Sequence, residues 1–173
     1  IFSYLYRFLY QNREAAEDIT QSVFLKVYQN LNNIDTSKSI KSWIYRIAHN
    51  EAANYLRSVS SKKESIFDDE QWSKMADQKE PEEDISKQYT DIVQTALKKL
   101  KPKYREVIVL FYFEEKSYDE IATILDSSTN SVGTQIRRAK HQLKKILDSL
   151  APDLAAIFIV LLSLLSIKRG RTL

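Results

Sequence analysis

The chain has 173 residues, a net charge of +3 and 43% hydrophobic residues, enough apolar material for one ordinary domain or two small ones. Two glycines and three prolines leave few turn-formers for a β-rich fold, and the absence of cysteine excludes disulfide frameworks and thiolate metal sites. His49 and His141 are the only histidines and neither has an acidic or histidine partner at ligand spacing; with no glycine-rich phosphate loop either, the composition points to an all-α protein without catalytic, metal or cofactor chemistry.

Charge divides the chain more informatively than its sum does. Residues 59–88 carry nine acidic and five basic side chains, whereas the flanking blocks 1–58 and 89–150 are mildly basic. This pattern predicts two small helical domains that face nucleic acid, joined by an acidic linker. The first residue is Ile1, within an aromatic run that includes Phe2, Tyr4, Tyr6 and Phe8. We expect native residues to precede it, and no signal peptide is recognisable.

Residues 15–31 set Ile19, Val23, Phe24, Val27 and Leu31 on one stripe, predicting an amphipathic helix. Polar 32–42 interrupts the period. A second helix is expected over 43–57, burying Trp43, Ile44, Ile47, Ala48 and either Tyr55 or Leu56. Its opposite side presents Arg46, Asn50, Asn54 and Arg57 at spacings of four, four and three, so the four share a face. Such a face either meets a partner or is simply solvated.

Residues 58–88 are rich in Ser, Lys, Asp and Glu without a sustained apolar period, predicting a linker. Helical order is expected to resume near Tyr89, with Ile92, Val93, Ala96, Leu97 and Leu100 in register. Pro102 forces a break, and a further helix follows with Val107, Ile108, Leu110 and Phe111 inside.

The segment 117–145 reads as a helix-turn-helix. Ser117 and Glu120 have capping-box spacing and open a short helix that buries Ile121, Ala122 and Leu125. Residues 126–128 make the turn, and Ser128 or Thr129 caps the next helix, with Val132, Ile136, Ala139, Leu143, Ile146 and Leu150 as its apolar stripe. No acidic residue lies between Ser127 and Leu147, whereas Arg137, Arg138, Lys140, Lys144 and Lys145 do. A basic helix of this kind fits the major groove; Asn130, Ser131, Thr134 and Gln135 near its start can reach base edges, and the cations meet phosphates or guanine. An ordinary basic surface helix is the alternative.

These residues carry a resemblance. EEKSYDEIATILDSSTNSVGTQIRRAKHQLKK resembles the promoter-reading helix-turn-helix of bacterial sigma factors of the extracytoplasmic-function group, within the sigma-70 family. AAEDITQSVFLKVY resembles that group's helix for docking on the clamp helices of core RNA polymerase, and WIYRIAHNEAANYLR its helix that melts and reads the minus-ten element. The three stand in the family's order and cover most of residues 1–147.

The resemblance implies a non-enzymatic subunit that binds core RNA polymerase and promoter DNA and answers to an anti-sigma factor. It implies domains at 1–58 for core binding and melting and at 89–150 for the minus-thirty-five element, with linker 59–88 and a tail 151–173. Glu17, Asp18, Gln21 and Phe24 would face the polymerase. Lys38, Lys41, Trp43, Arg46, Asn50, Asn54 and Arg57 would serve the minus-ten element, with Asn50 helping to hold a flipped base in a pocket formed by 33–42. Asn130, Ser131, Thr134, Gln135, Arg137, Arg138 and Lys140 would serve the minus-thirty-five element. Two departures stand out: Asn54 occupies a usual aspartate position, and Gly133 a common basic one. The rival reading is a stand-alone helix-turn-helix regulator, which would use 15–57 for sensing or dimerisation.

The tail 154–167 (LAAIFIVLLSLLSI) is uncharged. As a helix it would span about 21 Å, short of the roughly 30 Å of a bilayer core. Its readings are a membrane contact that would make a cytoplasmic protein membrane-associated, a helix docking on a partner, or part of something longer.

Overall fold

The computed structural model describes residues 1–35, 37, 39–63 and 85–152, which form helices and their connections without a strand. By internal packing they fall into two units. The first comprises the helices up to residue 63 together with Val109–Thr134; the second comprises the helices between 85 and 108 and the last helix from Gln135 onward. Among the described residues no helix is long and apolar enough to cross a membrane. The tail 154–167 and most of the acidic linker lie outside the described residues.

In the first unit, helix α1 (Phe2–Phe8) buries Tyr4, Leu5 and Phe8. Tyr10 and Gln11 take left-handed backbone angles (φ 61° and 63°), which turns the chain sharply into α2 (Arg13–Gln29). The Asn12 side chain caps that helix by accepting from the Ala15 amide at 3.0 Å. Helix α2, which buries Ala15, Ala16, Ile19 and Val23, packs against α3 (Ile40–Lys63), whose buried residues include Tyr45, Ala48 and Ala52. The alanines on both sides let the helices approach closely, and burial of Val23 alone contributes about 1.5–3 kcal/mol.

Two expectations change here. Phe24 and Leu31 belong to the predicted stripe but stand 52% and 51% exposed. The alanines at 15 and 16 rotate the buried face away from them, leaving Phe24, Leu25, Tyr28 and Leu31 in solvent. Likewise Trp43, Ile44, Ile47, Tyr55 and Leu56 are only half-buried, because Tyr45, Ala48 and Ala52 form the centre of the inward face of α3. The helix is also longer than predicted at both ends.

A polar clasp fixes α2 on α3: Ser22 donates to Glu51 at 2.8 Å and Lys26 pairs with the same carboxylate. The Lys26 hydrogen bond is the main reason that Glu51 titrates below its ordinary value, against the opposing effect of burial, with Ser22 assisting. A depressed carboxylate adds stability that is present above the ordinary value of 4.5 and lost as pH falls through the lowered one. Glu51→Gln is therefore expected to flatten acid destabilisation below pH 4.5, read as unfolding free energy against pH.

In the second unit, α4 (Ile85–Lys99) and α5 (Pro102–Ile108) meet at the break that Pro102 makes, with Ala96, Leu97, Leu100, Tyr104, Val107 and Ile108 buried. Arg105 is wholly buried among them. Its guanidinium donates to the carbonyls of Leu97 (2.7 Å), Lys98 (2.8 Å) and Leu100 (2.7 Å), at the C-terminal end of α4, where the Leu97 carbonyl also accepts from the Leu100 amide at 3.1 Å. Helical order begins at Ile85, four residues before the predicted Tyr89.

Beyond α5 the chain widens into a π-helical turn, Val109–Phe113, closed by the Glu114 amide on the Val109 carbonyl. Helix α6 (Tyr118–Ile124) then opens on a complete capping box: the Glu120 amide donates to Ser117 Oγ at 3.2 Å, and the Ser117 amide to the Glu120 carboxylate at 2.8 Å. Ile121 and Ala122 are buried as expected, but Ile124 rather than Leu125 completes the stripe, since Leu125 already begins the turn. Asp126 carries that turn at φ 50°.

Ser128 caps α7 (Thr129–Leu150) by accepting from the Ser131 amide at 3.2 Å. Thr129 donates to Asp119 at 2.9 Å, which fixes the start of α7 on α6. Along α7 the core positions are Val132, Ile136, Ala139, Leu143 and Leu147; the predicted Ile146 and Leu150 sit at its margin, because the fourth step of the stripe is four residues rather than three.

Candidate nucleic-acid interface

The buried stripe of α7 fixes what its other side presents. At 100° per residue, Asn130, Thr134, Arg137 and Arg138 point opposite to Val132, Ile136 and Ala139. Ser131 and Gln135 lie on one flank of that face and Lys140 on the other. Asn130, Arg137 and Arg138 are exposed, and Ser131, Thr134, Gln135 and Lys140 half-buried. Asn130, Ser131, Thr134, Arg137 and Arg138 thus line one accessible half of the helix, with Gln135 and Lys140 just beyond its two edges. His141, which the sequence reading passed over, stands exposed in the middle of the same half; its spacing of four and three from Arg137 and Arg138 is the signal that could have found it.

Gly133 lies beside this face. A Cβ there would meet the Tyr118 ring at 3.5 Å, an ordinary van der Waals contact. The glycine is therefore not required sterically, and Gly133→Ala is expected to stabilise the protein by about 0.5–1 kcal/mol through helix propensity. Chemical denaturation measures this; a loss of stability would show a packing constraint that the backbone does not reveal.

The second candidate surface lies on α3. Arg46, Asn50, Asn54 and Arg57 are all exposed. Arg57 donates to the Asn54 side-chain oxygen, so the asparagine keeps the contact that an aspartate would make, without its charge. Trp43, neither core nor free, lines a cavity of about 690 Å³ with Ile34, Ser39, Ile40, Ser42 and Arg46. Lys41 is exposed at the start of the helix, and Lys38 lies outside the described residues. The rest of the lining is Asp35 and, from α6, Asp119, Glu120 and Thr123.

The third surface is α2. Glu17, Asp18, Gln21 and Phe24 are exposed, Glu17 being paired with Arg13 at 2.7 Å. They are joined by Leu25 and Tyr28, 62% and 74% exposed, which the sequence reading had not singled out.

Comparison with known proteins bears on what these surfaces serve. Residues 1–62 match the sigma-70 region 2 family and residues 90–143 the sigma-70 region 4 family. The chain is 34% identical over 161 residues to the extracytoplasmic-function RNA polymerase sigma factor SigW of Bacillus subtilis, covering 87% of this chain and 84% of that protein. The chain belongs to the extracytoplasmic-function group of the sigma-70 family. RNA polymerase sigma factor YlaC of the same organism is also 34% identical, over 147 residues and 84% of each chain. The fold is similar to that of the sigma factor RpoE of Bartonella quintana, solved with the anti-sigma factor NepR (TM-score 0.67, 19% identity, 85% of this chain and 89% of that one).

Membership of this family places region 2 on the part of the chain that holds α1–α3 and region 4 on the part that holds α4–α7. A stand-alone helix-turn-helix regulator has no need of the former.

Proposed function

We propose that the chain binds core RNA polymerase, brings it to a two-part promoter and helps to open the DNA, without catalysing a chemical step of its own. The observation that supports this best is that one chain carries regions 2 and 4 in order, each presenting an accessible polar or basic helical face. In this reading residues 1–58 hold the core-binding and melting functions and 89–150 the minus-thirty-five function, with 59–88 between them. Asp18, Gln21 and Phe24, with Glu17 beside them, meet the clamp helices of the polymerase. Asn50 and Trp43 act at the minus-ten element with Lys38, Lys41, Arg46, Asn54 and Arg57 around them. Thr134, Gln135 and Arg138 read base edges, while Arg137 and Lys140 hold phosphates. An anti-sigma factor is the expected regulator and the cytoplasm the expected compartment, with 154–167 as a candidate membrane contact.

The test is to add the purified chain to sigma-free core polymerase and look for promoter-specific run-off transcripts; no polymerase binding would sink the reading. The two DNA surfaces should separate by mutation. Arg138→Ala is expected to weaken promoter binding by about 1–3 kcal/mol, the range of one bidentate base contact, whether or not the DNA is open. Asn50→Ala should leave closed-complex affinity within about twofold yet slow opening at least tenfold, since a flipped base carries a few kcal/mol of lost stacking. Permanganate footprinting with filter binding distinguishes the two, and identical behaviour of both variants would contradict this division.

A further inference from the structure

The flank of α7 that Gly133 occupies carries a row of cations. Arg137, Lys140 and Lys144 follow Gly133 at spacings of four, three and four, so the four positions lie within about 60° of one another around the helix axis. Arg137 and Lys144 are exposed and Lys140 half-buried. The first place of the row, nearest the turn of the helix-turn-helix, has no side chain of its own.

Tyr118, the first residue of α6, reaches that place from the neighbouring helix. Its ring edge lies beside Gly133: Cε2 and Cδ2 would stand 3.5 and 3.9 Å from a Cβ there. Cε2 adjoins the carbon that bears the hydroxyl, so the hydroxyl end of the ring is the one that meets the row. The Phe111 ring, 5.3 Å away and tilted by 58°, backs Tyr118 and sets its direction. Tyr118 nevertheless stands 37% exposed, and among the described residues its hydroxyl has no hydrogen-bond partner. Burial, with Tyr112 nearby, raises its titration above the ordinary value of 10.0, so the hydroxyl keeps its proton and can donate it to an external acceptor. Water alone would satisfy such a group; its place at the head of a row of cations points to an anion.

We infer that the Tyr118 hydroxyl is a further DNA contact, donating to the backbone phosphate at the head of the row that Arg137, Lys140 and Lys144 continue along one strand. This rests on reading α7 as the helix that enters the major groove. A phenol holds a phosphate through one directed hydrogen bond and, being uncharged, releases no counterion. The contact reads no base: it positions α7 in the groove and leaves sequence choice to the central face of the helix. Gly133 is part of the device, since a long side chain there would run along the ring edge and stand between the hydroxyl and the strand.

The test uses holoenzyme reconstituted from the full chain and core polymerase, on a fluorescent promoter fragment chosen for its run-off transcript. Tyr118→Phe keeps the ring on Phe111 and removes only the hydroxyl, so its urea midpoint should not move. Its affinity is expected to fall about tenfold, the effect of one hydrogen bond to a charged acceptor, with the slope of log affinity against log salt unchanged. Arg137→Ala should weaken binding too, but make that slope shallower by about 0.9, as loss of a cation does. Adding Gly133→Lys to Tyr118→Phe should restore affinity and steepen the slope by about 0.9. The loss in Tyr118→Phe should be the same on fragments with altered minus-thirty-five bases. Wild-type affinity for Tyr118→Phe, or a loss that varies with those bases, would overturn the contact. If Arg137→Ala also binds like wild type, the reading of α7 itself fails; if Arg137→Ala weakens binding and Tyr118→Phe does not, the tyrosine contact alone is wrong.

Discussion

Arg105→Ala is expected to destabilise the protein by about 4–5 kcal/mol, close to the whole stability of a small domain. The guanidinium is fully buried and donates three hydrogen bonds of 2.7–2.8 Å to carbonyls at the end of α4. Hydrogen bonds from a charged donor each contribute about 1.5–3 kcal/mol, and an acceptor left buried without another donor becomes costly, although the Leu97 carbonyl keeps the Leu100 amide at 3.1 Å. The truncation also leaves a void where a wholly buried side chain stood. These effects overlap, so the expected total is below their sum. Arg105→Lys should recover less than half, because an ammonium cannot address three carbonyls from one planar fork. Urea unfolding measures both; a loss under 1 kcal/mol for alanine would mean that the end of α4 is satisfied some other way.

Arg105 also shows where reading the sequence stops. In KPKYREV it looks like one more cation near a proline, and cations are seldom buried. Its partners lie five to eight residues back and are backbone carbonyls, which have no letter in the sequence. The capping box at Ser117 and Glu120 was legible for the opposite reason: both partners are side chains three residues apart, and their types name the contact. The stripe of α7 was legible as far as Leu143, where one neighbour continues throughout.

The errors on α2 and α3 share a cause. Each helix has apolar or aromatic residues on more than one side, so a 3.6-residue period alone cannot say which side is inward. Small residues settle it, because Ala16, Ala48 and Ala52 are wholly buried and mark the inward sides. That Tyr45 donates its hydroxyl to Glu114 was out of reach altogether, since the two are separated by 69 residues. Of the candidate DNA residues, the positions and faces were readable from spacing; that Arg46 pairs with Asp126 was not.

The unused apolar side of α2 carries the last large effect. The double substitution Leu25→Ser and Tyr28→Ser is expected to weaken binding to core polymerase by about 3 kcal/mol, on the order of 100-fold, if each side chain becomes buried in the complex. The pair stands 62% and 74% exposed in the free chain, next to Phe24 at 52%. Exposed side chains that make few internal contacts contribute little to folding, so stability should change by no more than about 0.5 kcal/mol. Gln21 and Asp18 lie one and two turns back from Leu25 along the same side and would form its polar rim. Their removal should alter the association rate and its salt dependence more than the dissociation rate. Fluorescence anisotropy with labelled chain and core polymerase gives both rates. Wild-type affinity in the double variant would mean that α2 keeps this apolar face for another partner, with docking resting on the charged residues alone.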